Sequence, residues 1–437
     1  MSDSISLLLL LSAPGLPLLL ALPALRFRLK HPLYLALVPA IVLLGMPMPV
    51  SADLPWLLLG AQLGLDAGSR WLLAGQVLVW AAAAKSLQPD SGNAEPIHWQ
   101  STFFLLTLGG SLGVALAMDP VGFLVAATVA GYGFYALLAG TGNGVARRGG
   151  RGYLVAMILA DLALFEAILI VASGDRVPGF ASLQQVLVQS DSRELYLAVV
   201  LAGFALRAGA WPVHFWLRQV FSSPQPAVTI LLPTVPVSLA MFGVLRWLPP
   251  GRLPSPVAGW TLQAMGLAAM LHALLQGRRQ GSRHPAAARI TLFATGLFTV
   301  CLGMALAEPD FRYKYSAWLY SAIGLFGPAM ALFLLPGHRL RLPHGHQALP
   351  VFADRGDDKA DTWFERLASW SVSHWRQAGF ATLPRWRAYG TARLDRYRRI
   401  LPVWQRLLED GEQYLRHWPL AMTLFLLLAG LLVLSLL

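Results

Sequence analysis

Residues 206–228 read LRAGAWPVHFWLRQVFSSPQPAV, and they follow the apolar run LYLAVVLAGFA at 195–205 with no polar break. A segment of this composition is expected to cross a membrane, yet it carries Arg207 inside the crossing, then Pro212, His214 and a second pair of prolines at Pro224 and Pro226. Proline has no backbone N–H to donate and disrupts the helix that precedes it. The spacing therefore predicts a crossing broken into half-helices at Pro212 and at Pro224/Pro226. Broken backbone at membrane depth is tolerated where it is buried in protein or lines a wet cavity. A charge held there is expensive, which makes Arg207 a candidate functional residue.

The whole chain shares this character. Its 437 residues are 56% hydrophobic and only 13% charged, more apolar than one soluble core requires. Runs of about twenty apolar residues recur, each long enough to cross a roughly 30 Å hydrocarbon layer as a helix. The expected spans are 5–25, 32–51, 69–87, 101–118, 121–141, 153–173, 195–217, 227–246, 256–276, 288–307, 315–335 and 418–437. That is an all-α polytopic membrane protein of about twelve transmembrane helices, the seventh broken. The first run, LLLLLSAPGLPLLLALPAL, is read as a span because it lacks the basic region that opens a signal peptide. The lone Cys301 lies within a span, so the chain has no disulfide framework of its own.

The net charge of +12 does not point to nucleic acid, because the basic residues gather in alternate loops. Arg26, Arg28 and Lys30, then Arg147, Arg148 and Arg151, then Arg278, Arg279 and Arg283, then Arg339 and Arg341 all fall on one side of the span count. The excess of positive charge assigns that side to the cytoplasm. The N-terminus and the loops at 52–68, 174–194, 247–255 and 308–314 are expected to face outward.

Composition changes at residue 336. Between 336 and 417 the chain is charged and rich in tryptophan, and in DTWFERLASWSVSHWRQ the residues Trp363, Leu367, Trp370 and His374 recur at helical spacing. Such a face suits a membrane surface or a protein surface beside it. The expected organisation is a transmembrane domain at 1–335, a cytoplasmic lateral helical segment at 336–417, and a closing transmembrane anchor at 418–437.

The opening stretch also resembles a known pattern. A basic residue followed by proline five on, histidine seven on, Trp-Leu nine on and P-x-P seventeen on is similar to the seventh and eighth spans of the antiporter-like subunits of respiratory complex I, Mrp cation/proton antiporters and membrane-bound hydrogenases. Arg207, Pro212, His214, Trp216, Leu217, Pro224 and Pro226 occupy the corresponding places. LDAGSRWLL at 65–73 resembles that family's entry to the third span, AMDPVGFLVAATVAGYGFYALL at 117–138 its fifth, where Asp119 and Tyr135 match, and LADLALFEAILI at 159–170 its sixth. A weaker likeness covers AARITLFATGLFTVCLGMA at 287–305. The tail resembles the lateral helix and closing span of the distal complex I subunit.

The resemblance implies a proton path built on a glutamate of the fifth span, a lysine of the seventh and a later histidine. This chain has Thr128, Arg207 and Leu232 at those places. It also has fewer spans before the tail than the family's usual fourteen, so it resembles a truncated and degenerate member. Arginine keeps its proton at any accessible pH and holds charge without passing a proton on. Asp161 and Glu166 on the sixth span are the candidate counterions; five residues apart, they lie about 140° apart around a helix. Glu166 is taken as the expected partner of Arg207. His214 reads first as a helix-end residue bonding to freed carbonyls and second as a proton relay, and His272 is equally open.

His338, His344 and His346 sit in GHRLRLPHGHQ with Arg and Pro between them and no adjacent carboxylate, the pattern of a solvated basic loop. No nucleophile motif, phosphate loop, metal site or cofactor signature appears, so no catalytic residue is assigned and the chain is not expected to be an enzyme alone. Two functions remain. One is an ion-translocating subunit, for protons or sodium, of a complex-I-like or Mrp-like assembly in a bacterial inner membrane. Its partners there would be other membrane subunits, lipid, and a peripheral redox module or, in a bicarbonate-accumulating complex, a carbonic-anhydrase-like subunit. The other is a non-conducting scaffold of such an assembly.

Overall fold

The computed structural model describes residues 2–335, apart from 27–28, 58–59, 88–97, 141–143, 173–178, most of 181–191, 249–254 and 276–282. Residues 336–437, which hold the expected lateral segment, the histidine tract and the closing span, lie outside the described residues. The described chain is helical except for one hairpin. In order come α1 (Ser2–Leu20), α2 (Pro23–Arg26), α3 (Pro32–Leu35), α4 (Val38–Leu44), β1 (Val50–Leu54), β2 (Ala61–Leu65), α5 (Ala67–Leu87), α6 (His98–Leu116), α7 (Pro120–Ala139) and α8 (Gly144–Val171). Then follow α9 (Arg193–Ala208), α10 (Phe215–Phe221), α11 (Pro226–Leu231), a π-helical turn at Pro233–Ser238, α12 (Leu239–Trp247), α13 (Pro256–Leu275), α14 (Arg283–Ala307) and α15 (Pro309–Leu334).

Apart from the second, which runs past α4 into β1, each expected span from the first to the eleventh overlaps one of these helices or a run of them. Seven helical stretches among the described residues are long and apolar enough to cross a membrane. The molecule is an all-α polytopic membrane protein.

The expected second span, 32–51, stops early. α4 is capped at Gly45, and Pro47 and Pro49 beyond it have no N–H to continue a helix. The chain turns extended at Val50 and forms an antiparallel hairpin whose register runs from Val50↔Leu65 to Leu54↔Ala61. Gly60, at φ 97°, supplies a left-handed residue just before β2. An isolated bridge from Leu63 to Ala117 ties the hairpin to the end of α6, and the Asp119 carboxylate accepts from the Gln62 and Gly122 amides at 2.8 and 2.6 Å. One side chain thus caps α7 and anchors the hairpin. No pattern in the sequence marks this hairpin, which replaces the loop expected at 52–68.

Helix α8 begins nine residues before the expected span, because Arg147, Arg148 and Arg151 continue it as an exposed basic turn. On the hairpin side the core is aromatic. Trp247 meets Phe123 and Phe204 edge-on at 5.9 and 5.8 Å between centroids, and the Tyr196 hydroxyl donates to the Trp247 carbonyl at 2.9 Å. These contacts fix α9 against α7 and α12. Elsewhere helices approach closely through glycine. A Cβ on Gly75 would overlap the Gly324 carbonyl oxygen, so α5 and α15 come together backbone to backbone.

The helix expected at 195–217 is interrupted. α9 ends at Ala208 with Gly209 left-handed at φ 59°, its amide closing the helix onto the Leu206 carbonyl. A Cβ there would also meet the Trp216 ring at 2.8 Å. Pro212 lies in the gap before α10, and Pro224 and Pro226 lie between α10 and α11. Pro233 and Pro236 open the next crossing into a π turn, where the Ser238 hydroxyl donates to the freed Pro233 carbonyl at 3.0 Å.

Candidate functional site

Arg207 sits in the last turn of α9 and is 6% exposed. Helix geometry places a cation well there, since the carbonyl end of a helix carries partial negative charge. One Nη donates to the Ala127 carbonyl at 3.2 Å, and the other pairs with Asp161 Oδ1. The second Asp161 oxygen accepts from the Thr128 hydroxyl at 3.1 Å. The Tyr132 phenol, one helical turn further along α7, is hydrogen-bonded to the same carboxylate. A guanidinium, a carboxylate and two hydroxyls therefore close on one another between α7, α8 and α9. Losing one partner of a buried pair leaves an uncompensated charge and costs about 3–5 kcal/mol.

The counterion is Asp161, not Glu166. Helices α7 and α8 run antiparallel, with the Tyr153 hydroxyl on the Gly131 carbonyl at 3.1 Å and Thr128 on Asp161. Five residues beyond Asp161, Glu166 is level with the start of α7 at the hairpin end. It is exposed there on a face with Leu162, Phe165 and Leu169, which are 60, 52 and 52% exposed. The 140° between the two carboxylates sends one inward and the other out. Depth decided it, because the residue deeper in the crossing is the earlier one.

His214 precedes the first residue of α10, and His272 lies in the last turn of α13. Both are buried, and their Nε2 atoms are 3.2 Å apart. The rings stand 73° from coplanar with centroids 4.9 Å apart. Two imidazoles joined through Nε2 share one proton, one ring donating and the other accepting. His214 Nδ1 is buried without a hydrogen-bond partner among the described residues. In the same core, Tyr153 meets Trp216 at a tilt, 5.1 Å between centroids, and Phe134 edge-on at 5.5 Å. Leu232, just before the π turn, is fully buried.

Residues 117–284 match the family model described as "NADH:quinone oxidoreductase/Mrp antiporter, TM". Over that segment the chain is similar to the antiporter-like membrane subunits. Every residue of both pairs falls within the matched segment. NADH-quinone oxidoreductase subunit N 1 of Streptomyces griseus is 29% identical over 171 residues, which are 38% of this chain and 36% of the relative. The match thus spans about a third of that relative's length. Among solved structures, the Mrp complex from Dietzia sp. aligns with a TM-score of 0.61 at 19% identity, over 75% of this chain and 37% of the other. A membrane-bound sulfane sulfur reductase, an archaeal respiratory membrane complex, aligns with a TM-score of 0.58 at 20% identity, over 75% and 55%. At these identities the structural likeness establishes the fold.

The fold brings Arg207 together with Asp161 and His214 together with His272, and leaves Glu166 outside both pairs. Sequence reasoning took Thr128 only as the loss of the family's glutamate and passed over Tyr132. Their signal was present: they stand four apart on one face of α7, and Thr128 occupies the place of the family's glutamate. Among the described residues no three His, Cys, Asp or Glu side chains gather as a metal site.

Proposed function

We propose that the antiporter-like chain is an ion-translocating membrane subunit of a multi-subunit assembly, in which the His214–His272 pair passes protons beside a fixed Arg207–Asp161 charge pair. The observation that carries this reading is the 3.2 Å contact between the two buried Nε2 atoms. A proton reaching the far nitrogen of one ring lets that ring release its Nε2 proton to the other, whose own far nitrogen then releases one in turn. Tautomers exchange and no net charge stays behind. Arg207 keeps its charge throughout. The carboxylate that its field acts on has moved from the fifth span to the sixth, with Thr128 hydrogen-bonding to it from the old position.

The test uses the assembly purified from its native membrane by a tag on this chain and reconstituted in liposomes with a pH-sensitive dye. His272→Gln and His214→Gln are each expected to lower proton flux about a hundredfold, in line with the loss of a positioned proton carrier. Flux unchanged in both variants would remove the pair from the path. Repeating the assay with sodium in place of a proton gradient decides between the two ions.

A second reading has its own observation. Leu232 stands fully buried where the resemblance expects a histidine, and Arg207 stands where it expects a lysine. These support a scaffold whose central relay is interrupted, and an assembly with undiminished flux after both histidine changes would favour it.

A further inference from the structure

Away from both pairs, α5 and α6 bury a group of polar atoms that the proposed function does not use. Gln76 and Trp80 lie one turn apart on α5, Ser111 faces them from α6, and all three side chains are fully buried. Gln76 Nε2 donates to the Ser111 carbonyl at 3.2 Å, which fixes the amide between the helices and turns its oxygen away from that bond. Three atoms then remain without a hydrogen-bond partner among the described residues: Gln76 Oε1, the Ser111 hydroxyl and Trp80 Nε1. One is an acceptor, one a donor, and one is both. Gln76 is the tenth residue of a 21-residue helix, so the group lies near the middle of α5, buried from any solvent that could satisfy it.

We infer that Gln76, Ser111 and Trp80 form a binding site for a single ordered water molecule between α5 and α6. Water donates to Gln76 Oε1, accepts from Trp80 Nε1–H, and makes a third bond with the Ser111 hydroxyl. Three bonds is the usual complement of a buried water. The chemistry selects against a cation: the indole N–H presents a proton to the site, and no carboxylate stands among the three. The Trp80 ring is held by an edge-on contact with Phe104 at 4.8 Å between centroids, so its N–H cannot swing to another acceptor without breaking that contact. The site joins α5 to α6 through a polar bridge, and it stands whether or not the chain conducts.

The test is cryo-electron microscopy of the full chain in its native assembly at a resolution that shows ordered water, paired with synchrotron hydroxyl-radical labelling, which marks side chains next to bound water. The expected result is a peak within about 2.7–3.2 Å of all three atoms, and oxidation of Trp80 that falls at least fivefold in Gln76→Leu/Ser111→Ala while oxidation of exposed Trp318 is unchanged. The Trp318 control shows that the variant is folded and irradiated alike. A peak at the shorter distances of a metal ion, dependent on sodium, would overturn the assignment to water. So would an empty site with Trp80 unlabelled, or labelling that the double substitution leaves intact.

Discussion

Exchanging Asp161 for asparagine leaves the Arg207 guanidinium buried without an anion, at a cost of about 3–5 kcal/mol. Asp161→Asn and Arg207→Gln are each expected to lower the melting temperature of the detergent-purified chain sharply. The double variant should lose less than the sum, because residues in direct contact couple by about 0.5–3 kcal/mol. Glu166→Gln, on the exposed face, should change it little; a large loss there with none at Asp161 would return the pairing to Glu166. Since Thr128 already bonds to the carboxylate, Thr128→Glu in the Asp161→Asn background puts an acid back within reach of Arg207 and should recover most of the lost stability. Arg207 and both carboxylates were legible in the sequence as intramembrane charges. Which carboxylate paired was not, because the choice turns on how far α8 extends at its basic end, and that sets the depth of every residue along it.

Among the elements, those whose limits follow from proline and glycine were the readable ones. The gap between α9 and α10 sits where Pro212 removes a donor and Gly209 supplies a left-handed residue. The hairpin was hidden because Val50–Leu54 and Ala61–Leu65 are short and mix apolar with polar residues; its anchor, Asp119, comes from more than fifty residues away. The close approach of α5 and α15 was hidden for the same reason, since nothing in either helix alone says that Gly75 meets Gly324. It carries a prediction. Gly75→Ala forces the two backbones apart and is expected to cost about 1–3 kcal/mol as overpacking. Gly144→Ala, with nothing within 4 Å of the added methyl, should be near neutral. Melting curves of the two variants side by side measure the difference, and equal losses would mean that α15 does not lie on α5.

For the whole molecule, topology rests on charge. Arg147, Arg148 and Arg151 lie at the end of α8 opposite the hairpin, the arrangement expected if that end faces the cytoplasm and the hairpin faces out. If the same alternation continues, residues 336–417, which lie outside the described residues, are expected on the cytoplasmic side, and the helical spacing of Trp363, Leu367 and Trp370 in the sequence is expected to suit a surface that is part lipid and part neighbouring subunit. A chain whose paired charges are already closed on themselves within 117–284 does not need that tail to complete its polar site. The tail is therefore proposed to hold the assembly together. Removing residues 360–437 should reduce recovery of partner subunits on a tagged chain much more than Arg207→Lys reduces proton flux through the intact assembly, because lysine keeps the charge beside Asp161. A cysteine introduced at position 360 should react with a membrane-impermeant thiol reagent only in inverted vesicles. Labelling in right-side-out vesicles would reverse the orientation of every span, and full recovery of partners by the truncated chain would move the binding surface onto the helices of 1–335.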